Sequence, residues 1–87
     1  MTASISYQPF EDLIACLRAE ERSKDADLMD HLIHRVAWTT GSELIGELGQ
    51  AIKRIENSDS YPLSSAIQTK IDECFEMVRR VWPDFPR

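Results

Sequence analysis

The sequence predicts an all-α fold, an antiparallel bundle of four helices, and three observations carry that prediction. Apolar residues recur at helical spacing in four successive segments. Short breaks holding Pro, Gly or small polar residues separate them. The one strand-like stretch, Ser4-Ile5-Ser6-Tyr7, is too short to build a sheet. With 87 residues, the chain forms a single domain, 1–87. Breaks of roughly two to five residues make consecutive helices antiparallel neighbours.

Segment one covers 9–22. Pro9 suits a first helical turn, and Glu11 and Asp12 follow where the helix dipole favours acids. Phe10, Leu13, Ile14 and Leu17 fall at i, i+3, i+4, i+7 and form its apolar stripe. Arg22 and Lys24 come near its end, where cations are favoured.

Segment two covers 25–38. Leu28-Met29, Leu32-Ile33 and Val36-Ala37 are adjacent pairs every four residues and predict a wide buried face. Asp25 and Asp27 stand at its start, His34 and Arg35 near its end.

Segment three covers 41–57. Thr40 and Glu43 have capping-box spacing, so each side chain can satisfy a free backbone donor. Leu44, Ile45, Leu48, Ile52 and Ile55 make the stripe. Gly46 and Gly49 flank Leu48 and each costs up to about 1 kcal/mol in a helix interior. They read either as tolerated glycines or as the place where another helix approaches the backbone closely.

Asn57-Ser58-Asp59-Ser60 reads as a loop, because short polar side chains bond to local backbone in place of helix. Pro62 then opens segment four, 62–82, with Ile67, Ile71, Cys74, Phe75, Val78, Val81 and Trp82 at helical spacing. Pro83 stops it, and Pro86 keeps the last residues out of helix.

Composition narrows the function. Hydrophobic residues are 43% and charged residues 29%, with only 3 Gly and 4 Pro, which is the profile of a globular chain. No apolar run approaches the roughly 20 residues of a membrane span, and no basic leader opens the chain, so the expected compartment is the cytosol. Fifteen acids against ten bases give a net charge of −5, which argues against neutralising nucleic-acid phosphates. Cys16 and Cys74 sit inside apolar stripes and read as buried free thiols.

Chemistry has few carriers. Asp30, His31 and His34 give Asp-His-x-x-His, two imidazoles on one helical face, but no further His completes a metal shell. No Gly-x-Ser-x-Gly motif is present, and Gly46-Glu47-Leu48-Gly49 lacks the ending of a phosphate loop. We therefore expect no enzyme activity, no cofactor and no metal.

The acids are more informative. Glu20, Glu21, Asp25, Asp27 and Asp30 crowd the first hairpin. Glu43 and Glu47 share a face of segment three, and Asp72, Glu73 and Glu76 add to segment four. Trp38, Tyr61, Trp82 and Phe85 fall at segment ends or in breaks, where aromatics either cap a small core or anchor an interface.

Asp59-Ser60-Tyr61-Pro62, together with acids near a helix pair, in an acidic four-helix chain of this length, resembles the bacterial immunity proteins that inhibit colicin-type nucleases. The resemblance implies a nuclease-inhibiting role in which Asp59 and Tyr61 meet the toxin. Two departures accompany it: the family has paired tyrosines where Tyr61 stands singly, and its third helix is very short where segment three is long.

The expected function is thus an acidic helical protein-interaction module, inhibitor or immunity-like, that covers a basic protein partner. Asp25, Asp27, Asp30, Asp59 and Tyr61 are the candidate contact residues. The alternative is a homo-oligomeric structural or regulatory protein, in its simplest form a homodimer, because a chain this short buries little surface alone.

Overall fold

The structure is a computed structural model and describes residues 7–37, 40–57 and 63–86. Four helices account for 78% of them, with no strand among them: α1 (Gln8–Ala19), α2 (Ser23–His34), α3 (Gly41–Glu56) and α4 (Ser65–Val81). Each helix packs against two others, in the cyclic order α1, α2, α3, α4. No close backbone approach joins the diagonal pairs among the described residues.

Side-chain bonds give the directions. Arg18, late in α1, pairs with Asp27, early in α2, while Glu11, early in α1, meets His34 at the end of α2. Ser64, before α4, donates to Glu20, just past α1, and Cys74 in the second half of α4 donates to the carbonyl of Pro9. Gln68 near the start of α4 donates to Glu56 at the end of α3. Every neighbour pair is therefore antiparallel, and the predicted bundle is the observed one.

The stripes converge on one core. Phe10, Leu13 and Leu17 from α1, Ile45, Leu48 and Ile52 from α3, and Ile71, Cys74 and Val78 from α4 are all fully excluded from solvent. No polar or charged residue is buried among the described residues, so the core carries no desolvation cost of that kind.

Every boundary but the start of the third helix, and one face, differ from the sequence reading, the first helix beginning at Gln8 rather than at 9. The first helix ends at Ala19 rather than at 22. Glu21 adopts φ 62°, and the N–H groups of Glu21 and Arg22 bond back to the carbonyls of Arg18 and Leu17 at 3.1 and 2.8 Å. This is a Schellman ending, with Glu21 in the left-handed position that usually holds glycine. Arg22, read as a terminal cation of segment one, instead sits at the N-cap position of α2.

The second helix spans Ser23–His34 rather than 25–38. Thr40 must be extended, at φ −139° and ψ 155°, for its hydroxyl to accept the Glu43 N–H at 3.2 Å. The chain leaves helical geometry before it reaches that cap. Val36 is half-buried and Ala37 exposed, so the helical spacing ran on past the helix without marking core.

The wide buried face predicted for this segment is narrow. Only Ala26 and Met29 are buried, while Leu28, Leu32, Ile33 and Val36 are half-buried. The third helix stops one residue early, at Glu56 rather than at 57.

The fourth helix starts at Ser65 rather than at 62, because Ser64 is its cap, accepting the Ile67 N–H at 3.2 Å. Pro62 lies outside the described residues. Its last helical residue is Val81, with Trp82 as its C-cap.

Candidate functional site: an acidic groove between α3 and the C-terminal turn

The α2 aspartates sit where the sequence put them, each facing a base. Asp25 Oδ2 lies 3.2 Å from Nη1 of Arg22, and Asp27 Oδ1 lies 2.9 Å from Nη1 of Arg18. Asp30 Oδ1 is 3.8 Å from His34 Nε2, which is also 2.9 Å from Glu11 Oε1. Arg18–Asp27 and Glu11–His34 join α1 to α2, while Arg22–Asp25 and Asp30–His34 stay on α2 and its N-cap. The exposed pair Arg18–Asp27 contributes about 0–1 kcal/mol and fixes side-chain positions more than it stabilises the fold, whereas Arg22 in the Arg22–Asp25 pair is largely covered.

Asp27, Asp30, His31 and Arg35 line a shallow notch of about 280 Å³ on the same helix. Among the described residues no three His, Cys, Asp or Glu groups converge to hold a metal ion. Asp59 and Tyr61 lie outside the described residues.

Both cysteines are free thiols. Burial pushes the Cys74 thiol up to about 12, with Glu73 and Asp12 adding to the effect, and Sγ donates to the Pro9 carbonyl at 3.2 Å. Cys16 is also raised, first by partial burial and then by its hydrogen bond to Glu20. Only a thiolate is a strong nucleophile, so both groups are held in their unreactive form at neutral pH.

A larger concavity than the α2 notch lies elsewhere, and the sequence pointed to its parts without joining them. After α4, the Phe85 N–H donates to the Trp82 carbonyl at 2.9 Å, closing a turn over Pro83 and Asp84. Proline at the second position of such a turn has its φ already set. The turn folds the end of the chain back onto α3. The Trp82 indole N–H donates to the Ser42 carbonyl at 2.8 Å, and the Phe85 ring packs 6.2 Å from that of Phe75.

This return explains the two glycines. A Cβ at Gly46 would lie 3.3 Å from Trp82 Nε1, and one at Gly49 would lie 2.7 Å from Phe85 Cζ. The close approach suggested by the glycine spacing is real, but the partner is the chain's own aromatic turn rather than another helix.

Between α3 and the turn runs a groove of about 600 Å³, mostly apolar, lined by Glu43, Gly46, Glu47, Trp82, Asp84 and Phe85 among others. Glu43, Gly46, Glu47 and Gln50 share one face of α3 because they stand three or four residues apart. No Lys or Arg is among the described residues that line it. Lys53 stands beyond the Phe85 end, its Nζ 5.8 Å from that ring's centroid. Trp82, at 44% exposure, is the one large apolar side chain left open among the described residues.

Comparison with protein-family models, curated proteins and solved structures finds no match for the chain.

Proposed function

We propose that this chain is a protein-interaction module that binds a basic protein partner, with the α3 groove as its docking surface. The carrying observation is the composition of that groove: three carboxylates, no Lys or Arg among its described lining residues, and an exposed tryptophan set in an apolar floor. Aromatic anchors in partly desolvated pockets dominate interface energies, and complementary charge speeds encounter. The α2 aspartates share their field with Arg18, Arg22 and His34, whereas the groove's described lining holds no Lys or Arg. No helix among the described residues is long and apolar enough to cross a membrane.

The specific form of this reading is an immunity-like inhibitor that covers the basic surface of a nuclease. It rests on the resemblance at Asp59 to Pro62, and α3 departs from it, with 16 residues where a very short third helix is implied. The homo-oligomeric alternative draws support from α2, whose Leu28, Leu32, Ile33 and Val36 remain half-buried.

Affinity capture from native lysate with the immobilised chain, followed by kinetics on the recovered protein, tests the proposal. A basic partner is expected. Its association rate should fall with added salt and with the combined change Glu47→Lys, Asp84→Lys, more than with Asp25→Lys, Asp27→Lys, Asp30→Lys. A chain that sediments as a stable dimer and retains no basic protein would favour the alternative. A recovered nuclease that loses activity on binding would support the inhibitor form.

A further inference from the structure

We infer that the groove recognises arginine in an extended segment of the partner, with the guanidinium stacked on the Trp82 indole and paired with Glu47 and Asp84. This rests on the protein-interaction reading and adds the chemistry of what is read.

The indole is pre-positioned. Its N–H is held by the Ser42 carbonyl at 2.8 Å, and its edge lies against Gly46, the only residue type that allows that approach without displacement. A ring fixed at its edge and 44% exposed presents aromatic surface to the groove without further ordering cost. Glu47 is the next residue along α3 from Gly46, and Asp84 sits in the turn two residues beyond Trp82, so carboxylates come from both walls of the groove. A planar cation that stacks on an aromatic face while donating in its own plane matches this arrangement. Arginine does both, whereas the lysine ammonium is a strongly hydrated point charge. The mostly apolar floor suits the aliphatic neighbours of such a residue.

The test is a titration of the full-length chain with the blocked peptide acetyl-Gly-Leu-Arg-Leu-Gly-amide, and with its lysine and citrulline counterparts, followed by amide and indole N–H resonances. The Trp82 indole signal is assigned by its loss in Trp82→Phe. The arginine peptide is expected to shift the Trp82 indole, Glu47 and Asp84 signals saturably. The lysine peptide should bind about threefold more weakly, as a lost stacking term implies, and the citrulline peptide more weakly still. Glu47→Gln with Asp84→Asn should weaken the arginine peptide about tenfold, while Asp27→Asn with Asp30→Asn should leave it unchanged.

Equal binding of arginine and lysine peptides would overturn the stacking role. Shifts confined to the Asp27 and Asp30 notch would overturn the choice of groove. No response to any peptide, beside a captured basic partner whose binding is salt-sensitive, would refute this inference and leave the interaction-module reading standing.

Discussion

Glu21 shows how one residue carries a boundary. Its φ of 62° lies in the left-handed region, where a side chain bearing Cβ is strained by about 1 kcal/mol. The two backbone hydrogen bonds that close α1 require that conformation, and the chain pays for them with the strain. Glu21→Gly should therefore raise stability by about 0.5–1 kcal/mol, read as a higher urea midpoint with an unchanged slope. A lower midpoint would mean that the glutamate side chain contributes more than the strain costs. No glycine marks this turn in the sequence, which is why segment one read three residues too long.

At the scale of elements, the C-terminal turn and α3 are one packing unit. Gly49→Ala adds helix propensity worth about 1 kcal/mol, but its methyl would occupy the space of the Phe85 ring, 2.7 Å away. The two effects oppose each other in the wild-type background. In a Phe85→Ala background only the first remains. Gly49→Ala is thus expected to be neutral or destabilising alone and stabilising by about 1 kcal/mol beside Phe85→Ala. A double-mutant cycle measures the difference as a coupling energy. Additive effects would show that the turn does not rest on Gly49. The same contact orders the groove, since Phe85 and Trp82 are fixed by adjacent turns of one helix.

For the whole molecule, the core's single titratable side chain among the described residues is Cys74, fully excluded from solvent where α4 meets α1. Its folded-state value of about 12 lies above the ordinary thiol value of 9.0. Below pH 9 both states hold the proton, and this contribution to stability is fully present. Between about pH 9 and 12 the unfolded chain releases its proton while the folded chain keeps it, so stability is lost as pH rises. Urea midpoints at pH 8 and pH 11 should fall more steeply for the wild type than for Cys74→Ala, which keeps every other alkaline group. Parallel falls in the two proteins would show that the thiol ionises equally in both states.

Periodicity and capping chemistry determined the number of helices, their order and the identity of the core stripes. These depend on residues three or four apart, which any helix brings together. The Thr40–Glu43 cap was legible for the same reason. The Ser64 cap lay equally close to hand, but Pro62 offered a competing start signal two residues earlier. Tertiary structure alone decided which faces are deeply buried. Leu28 and Leu32 have the spacing of core residues, yet they pack against the core only partly buried, while Ala26 and Met29 are the buried residues of α2.

It alone also decided where the acids matter. Composition shows fifteen of them, but only the folded chain brings Arg18 to Asp27 and His34 to Glu11, and leaves Glu47 and Asp84 across a groove from one another. The groove's residues are separated by some forty positions in the chain, as Ser42 and Trp82 are. No local pattern links such residues; only the closing of the bundle, which carries the end of α4 back to the start of α3, brings them together.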